Sequence, residues 1–296
     1  MLVNAIPFPS WLDPVLIEIP LGFTTLPIRW YALAYIVGIW FGYLLAKRTL
    51  ARARLWRGET PPMSGEQLEE FLTWLIIGII LGGRIGYIIG YGEGQFWDDP
   101  LSIFRIWEGG MAFHGGFLGV TVAGLLFCWK HKLSMIGVAD VLALGTPLGL
   151  LLGRIANFIN AELWGRPTDL PWGVIFPGRA AQDCPGVEGL CARHPSQLYE
   201  AGLEGLLLGA LLLWLAYRAH ALHRPGLIAG VFIAGYGVSR FIVEFFRQAD
   251  AQFMSPKNPM GYVMQFGDFG ITRGQQLSLP MIAVGLVLIA LAFRRR

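Results

Sequence analysis

The sequence predicts an all-α membrane protein of about seven transmembrane helices with a small extramembrane cap, its N-terminus outside and its C-terminus cytoplasmic. Three observations lead there. Hydrophobic residues fill 54% of the 296 positions and charged residues only 15%, with a mean hydropathy of +0.53, which is too apolar for a soluble domain of this length. Apolar runs long enough to cross a hydrocarbon core of about 30 Å, which takes about 20 helical residues, recur along the chain. Basic clusters alternate between those runs as the positive-inside rule requires.

The runs fall at about 30–50, 70–91, 112–129, 136–158, 197–217, 226–246 and 276–293. The third and fourth are short or glycine-rich, and a broken or re-entrant span would change the count by about one. The segment before the first run is apolar but proline-rich, without a basic n-region or a small-residue cleavage site, so the first helix is expected to be retained. Lys47, Arg48, Arg52, Arg54 and Arg57 follow the first run, Lys130 and Lys132 the third, Arg218 and Arg224 the fifth, and Arg294, Arg295 and Arg296 end the chain. All four clusters fit one alternating path. Arg105, Arg166, Arg179, Arg193, Lys257 and Arg273 fall in outside loops, against the rule, and some of them need another explanation.

One polytopic domain over 1–296 is expected, with cap elements at about 1–28, 159–196 and 247–275. Cys184 and Cys191 lie in the second of these, where a disulfide and a pair of free thiols both fit the sequence. The three cysteines and five histidines show no metal-ligand spacing, so no metal is implied. A formal charge of +3 in scattered short clusters gives no footprint for nucleic acid.

Three arginines fall inside apolar runs: Arg84, Arg154 and Arg240. Each costs about 2.5–3.5 kcal/mol at the bilayer centre on insertion scales, so carboxylates, water or an anionic ligand must offset them. On the predicted topology they share the outer leaflet with Tyr31, His114 and Asn157, six polar groups from five helices. Arg154 and Asn157 are three apart, and Arg240, Glu244 and Arg247 step by four and three, so each set lies on one helix face. Glu244 can pair with either arginine. The glycines after His114, at 115, 116 and 119, allow close helix packing. A guanidinium stays charged and offers a planar fork of donors to anionic oxygens, and at headgroup level the abundant anion is phosphate. A histidine imidazole is a common general base near neutral pH, which makes His114 the candidate base, against a purely structural role at a helix end.

Several ordered motifs then resemble one family. Gly153-Arg154-Ile155-Ala156-Asn157-Phe158-Ile159-Asn160-Ala161-Glu162-Leu163-Trp164-Gly165-Arg166-Pro167-Thr168-Asp169 is similar to the signature of the prolipoprotein diacylglyceryl transferases, bacterial inner-membrane enzymes that lipidate lipoprotein precursors. Arg29-Trp30-Tyr31, Gly82-Gly83-Arg84, His114-Gly115-Gly116, the stretch from Arg193 to Glu200 and the stretch from Gly235 through Tyr236 to Arg247 extend the likeness over nearly the whole chain. Departures are peripheral: Ala161 where the signature commonly has glycine, and the cysteine-bearing insertion at about 180–192. The resemblance implies transfer of the diacylglyceryl group from phosphatidylglycerol to the lipobox cysteine thiol of a prolipoprotein, with release of glycerol phosphate and no metal or organic cofactor. It also implies catalytic roles for His114, Arg154, Arg240, Tyr31 and Glu244. Substrate contacts are expected from Arg154, Asn157, Glu162, Gly165, Arg240, Arg84, Tyr236 and Arg247, with Arg154 and Arg240 at the phosphate.

Two other classes compete. A lipid or anion transporter also uses intramembrane arginines, but it needs polar groups in both leaflets, and the inner halves hold little beyond Asp140. No repeat of the kind that marks many transporters relates the two halves. A seven-helix binding protein leaves the headgroup-level arginines unexplained.

Overall fold

A computed structural model of the chain describes residues 5–20, 25–91, 99, 101, 104–105, 109–184, 187, 189–267 and 269–294. Arg295 and Arg296, part of the last basic cluster, lie outside the described residues, as do parts of all three cap segments.

Each of the seven apolar runs is helical: α1 (Trp30–Leu50), α2 (Gly65–Tyr91), α3 (Phe113–His131), α4 (Met135–Ile159), α5 (Ser196–Tyr217), α6 (Leu227–Val243) and α7 (Arg273–Arg294). Five of them, α1, α2, α4, α5 and α7, are long and apolar enough to cross a membrane, while α6 is apolar but shorter. Helix α2 starts earlier than hydropathy predicts because a capping box fixes its polar first turn. The Ser64 hydroxyl accepts from the Gln67 amide at 3.1 Å, and the Gln67 side chain accepts from the Ser64 amide at 2.9 Å. Exposed Ile36, Trp40, Ile89, Trp129, Leu206 and Val287 give the helices the apolar outer surface that lipid requires.

The fold is mostly helical, which corrects the all-α expectation. Three two-stranded sheets occur among the described residues: β1 (Ile6–Pro7) parallel with β4 (Val174–Ile175), β2 (Val15–Pro20) antiparallel with β3 (Thr25–Arg29), and β5 (Tyr262–Phe266) antiparallel with β6 (Phe269–Thr272). These strands are two to six residues long, too short for a search for membrane-length runs to register.

The chain divides into two compact units, residues 1–45 with 142–296 and residues 46–141. In the second unit α2 and α3 meet along a glycine seam. A Cβ on Gly82 would lie 2.3 Å from the Gly115 carbonyl oxygen, and one on Gly119 would lie 2.0 Å from the Gly78 carbonyl oxygen. No side chain fits there, so the glycines around and after His114 serve close helix packing. Farther along the seam Phe71 packs on Phe127 with ring centroids 4.9 Å apart. Glu70 pairs with Lys130 at 2.9 Å and His131 at 3.1 Å.

In the first unit α4 meets α5 where Gly205 faces Leu151. An added Cβ on Gly205 would lie 2.6–2.9 Å from Leu151 atoms. Helix α6 meets α7 where a Cβ on Gly285 would lie 2.4 Å from the Ala234 amide nitrogen. At the end of α4, Phe158 forms an aromatic cluster with Phe8 and Phe176 from the strand-bearing segments, with centroids 5.5–5.8 Å apart. That cluster seats the β1–β4 pair on the end of α4.

Candidate active site

The first unit brings Arg154 and Arg240 to a single anion. Glu200, near the start of α5, places Oε2 3.1 Å from Arg154 Nη1, and its Oε1 accepts a hydrogen bond from Arg240 Nη1 at 2.8 Å. The Glu200 side chain is 1% exposed, against 18% for Arg154 and 14% for Arg240. Two guanidinium forks from different helices therefore share one buried carboxylate. Arg240 Nη2 also lies 2.8 Å from Glu244 Oε2, one helical turn on, which settles which arginine Glu244 serves. Arg247 turns instead toward Asp250, at 3.9 Å.

Glu244 is fixed from the other side by the start of α7. The Thr272 hydroxyl donates to Glu244 Oε1 at 3.0 Å while accepting from the Gln275 amide at 3.3 Å, and the Gln275 side chain accepts from the Thr272 amide at 3.1 Å. This reciprocal cap leaves the positive end of the helix facing a carboxylate. A Cβ on Gly274 would fall 2.4–2.6 Å from the Glu244 carboxyl group, so a larger residue there must displace that carboxylate.

A fifth member is Glu204, fully buried, with Oε2 3.6 Å from Arg154 Nη2. It stands on the same helix as Glu200, in a stretch of π-helix over Ala201–Leu207. Wider turns of this kind occur mostly at functional sites. Neither Glu200 nor Glu204 was among the expected site residues. The signal was available: burial of intramembrane arginines requires counter-charge, and the fifth apolar run holds two carboxylates four residues apart. Tyr236 on α6 and Tyr31 at the start of α1 contribute to the field at Arg154. The Tyr31 hydroxyl lies 3.0 Å from that of Tyr35.

After α4 the signature segment folds back on itself. Asn157, buried, donates to Glu162 Oε1 at 2.8 Å, and Asn160 donates to the same oxygen at 3.2 Å. Gln197 donates to the Glu162 carbonyl, and the Ser196 hydroxyl to that of Leu163 at 3.0 Å. The Glu162 side chain itself is exposed. Gly165 donates to the His194 carbonyl at 2.8 Å and pairs with Arg247 across an isolated bridge. A Cβ on Gly165 would lie 2.4 Å from the Phe246 carbonyl oxygen and 2.7 Å from His194, so this glycine lets two chain segments touch behind Arg247.

Two arginines that contradicted the positive-inside pattern now have structural partners. Arg193, buried, lies 3.9 Å over the Trp164 ring and donates to the carbonyls of Ala181, Asp183 and Gly165 and to the Gln248 side chain. Arg166 donates to the carbonyls of Arg247 at 2.9 Å and Met260 at 3.3 Å. Burial lowers the pKa of both guanidiniums from their usual value, and Asp183 partly offsets this at Arg193. They hold loops together by satisfying carbonyl groups. Cys184 and Cys191 form a disulfide in the same region, and the Gln182 side chain accepts from the Cys191 amide at 3.0 Å.

The second unit holds Arg84 and His114. Arg84 is buried, and its Nη1 donates to the carbonyls of Gly109 and Gly110, both at positive φ. Its guanidinium carbon lies 5.8 Å from the Tyr87 ring centroid. Arg84 thus braces the turn that leads into α3. His114 follows in the first turn of that helix, exposed.

Such a molecule is a multi-pass membrane protein with a buried arginine–carboxylate cluster, a class suited to anionic lipid. The family model described as LGT, prolipoprotein diacylglyceryl transferase, matches residues 14–291. The chain belongs to that family. Among similar curated proteins, the phosphatidylglycerol–prolipoprotein diacylglyceryl transferase of Roseobacter denitrificans is 59% identical over 287 residues, covering 97% of each chain. The protein of the same name from Ruegeria pomeroyi is 59% identical over 279 residues, 94% of each chain. That of Sinorhizobium medicae is 48% identical over 287 residues, 97% of this chain and 94% of its own.

Proposed function

We propose that Arg154 and Arg240 hold the phosphate of phosphatidylglycerol at the periplasmic leaflet of the bacterial inner membrane while a lipobox cysteine attacks the glyceryl carbon. The chain is a transferase that moves the diacylglyceryl group from phosphatidylglycerol to prolipoproteins, the first step of lipoprotein maturation. The observation that supports the phosphate assignment is the shared carboxylate. Glu200 offers its two oxygens to two guanidiniums, and a phosphate diester presents two anionic oxygens to the same forks.

In this reading the S–C bond forms as the C–O bond to phosphate breaks, the thiol proton passes to a base, and glycerol phosphate leaves. A free thiol with a pKa of about 8.5 is only a few per cent thiolate at neutral pH, and a positioned base contributes about 10²–10⁴-fold. His114 is that base. Negative charge grows on the departing phosphate, and preorganised cations in a water-poor site stabilise it. Glu244 orients Arg240. Tyr31, Tyr236, Asn157 and Glu162 line the approach of lipid and peptide, with Gly165 and Arg247 at its edge and Arg84 bracing the turn before His114. Seven membrane-crossing helices, with the N-terminus periplasmic and the strand-bearing segments as a periplasmic cap, complete the arrangement.

The test incubates purified, folded protein with headgroup-labelled phosphatidylglycerol and a lipobox peptide, following glycerol-phosphate release and peptide mass together. Matched release and lipidation are expected, with Arg240→Ala losing both and His114→Gln changing the pH–rate profile. Full activity in a folded Arg240→Ala variant would remove the phosphate assignment. An unchanged profile in His114→Gln would remove the base.

A further inference from the structure

The arginine cluster is overbalanced by carboxylates. Arg154 and Arg240 supply two positive charges, whereas Glu200, Glu204 and Glu244 supply three negative ones, and all three carboxylates are buried. They are not held equally. Both oxygens of Glu200 lie within 3.1 Å of a guanidinium nitrogen. Glu244 has Arg240 at 2.8 Å and the Thr272 hydroxyl at 3.0 Å. Glu204 has a single contact, to Arg154 at 3.6 Å, and neither of its oxygens has a hydrogen-bond partner among the described residues. It is 0% exposed, so bulk water does not supply what the protein omits.

The backbone holds Glu204 in this position. The π-helical stretch and the Gly205 contact with Leu151 press this part of α5 onto α4, one turn from Arg154. The charged groups acting on Glu204 are Glu200 on its own helix, Arg154 on α4, Arg240 on α6 and Arg247 just beyond it, with the Tyr236 hydroxyl nearby on α6. Of these, Arg247 makes no ion pair with Glu204 among the described residues and lies 3.9 Å from Asp250. An arriving phosphate diester brings another negative charge to Arg154 and Arg240 and competes with Glu200 for both. Where like charges crowd in a low-dielectric site, the least solvated carboxylate is the one that neutralises.

We infer that Glu204 takes up a proton when a phosphate ester occupies the Arg154–Arg240 pair, making it a positioning residue that couples headgroup binding to protonation through Arg154. The inference rests on the phosphate reading above. Protonated, Glu204 releases Arg154 from a competing anion and gains a hydroxyl that can donate to Glu200, which the arriving phosphate has partly displaced.

Calorimetric titration of the full-length, detergent-solubilised protein with dihexanoyl phosphatidylglycerol, in two buffers of different ionisation enthalpy, reads the proton count directly. The expected result is uptake of up to about one proton per headgroup, and affinity that falls by up to about tenfold per pH unit as pH rises wherever that uptake occurs. Glu204→Gln, which mimics the protonated carboxyl, should bind without uptake and with flat pH dependence. Binding by the unaltered protein without proton exchange would overturn the inference, and that measurement needs no variant to fold. Uptake persisting in folded Glu204→Gln would also overturn it, by moving the proton to another group such as His114. Binding equally tight in folded Arg240→Ala would instead defeat the phosphate reading itself, so the two failures are told apart.

Discussion

Two buried arginine sites in this molecule differ in the partners described for them. Arg154 and Arg240 are held by carboxylates contributed by α5 and α6, whereas Arg84 donates to the carbonyls of two glycines in the turn before α3. A carboxylate can be displaced by, or share its cations with, another anion. Two backbone carbonyls that define a turn cannot give way without the turn. Burial alone therefore does not distinguish an arginine that binds a ligand from one that braces the chain; the nature of its partner does.

The largest expected effect follows from that contrast. Arg240→Ala should lower kcat/KM for transfer by about 10²–10³-fold, as does loss of one preorganised charge-stabilising donor elsewhere, with Arg240→Lys recovering part of the loss. Because Glu200 and Glu244 would be left buried with less counter-charge, folding is checked by thermal unfolding of the same samples. Equal losses in Arg240→Ala and Arg84→Ala, at equal stability, would break the comparison.

Next in size is the glycine seam. Gly119→Leu places a Cβ 2.0 Å from the Gly78 carbonyl oxygen and should destabilise by about 3 kcal/mol or more, read as a lower Tm and poor recovery from membranes. Gly153→Ala is the control, since nothing lies within 4 Å of its added Cβ. Its stability should hold or rise slightly.

The disulfide comes third. Opening the short loop between Cys184 and Cys191, seven residues apart, with Cys184→Ser should cost about 2.5 kcal/mol on the chain-entropy account while sparing most transfer activity. A matching fall in Tm on adding reductant to the unaltered protein checks it. Arg84→Ala should cost about 1–2 kcal/mol from the loss of its hydrogen bonds to the Gly109 and Gly110 carbonyls, again as a change in Tm.

The smallest effect is acid sensitivity at His194. Burial lowers its pKa below the usual 6.5, and its Nδ1 lies 3.1 Å from the Tyr199 hydroxyl. A histidine depressed on folding adds stability above its unfolded pKa, and that stability is lost as pH falls through the folded value. Thermal unfolding should therefore show a modest decline below about pH 6.5 that His194→Gln removes.

Much of this was legible in the sequence. All seven helices answer to apolar runs, because a lipid-facing helix must be apolar over its whole length and little else imposes that pattern. The strands β1 to β6 were not legible, since pairs of two to six residues are set by contacts distant in the chain, such as Ile6 with Val174. At the site, Arg154, Arg240 and Glu244 stood out as charges in apolar runs, and the structure joins them. Glu200 and Glu204 were overlooked although the same rule marks them. For Arg84 the sequence marks the buried charge but not the two backbone carbonyls it meets, since no residue type announces such partners. Gly165 and Gly119 show the converse: their meaning lies in the carbonyl oxygens they face, at Phe246 and Gly78.

The central claim is that Arg154 and Arg240 act as one phosphate-binding unit joined through Glu200. A double-mutant cycle on kcat/KM for phosphatidylglycerol, with lipobox peptide saturating, tests it most directly. The account predicts that Arg154→Ala and Arg240→Ala together lose far less than the product of their separate losses, while Arg84→Ala combines multiplicatively with either. Multiplicative losses for Arg154 and Arg240, in variants that remain folded, would contradict it.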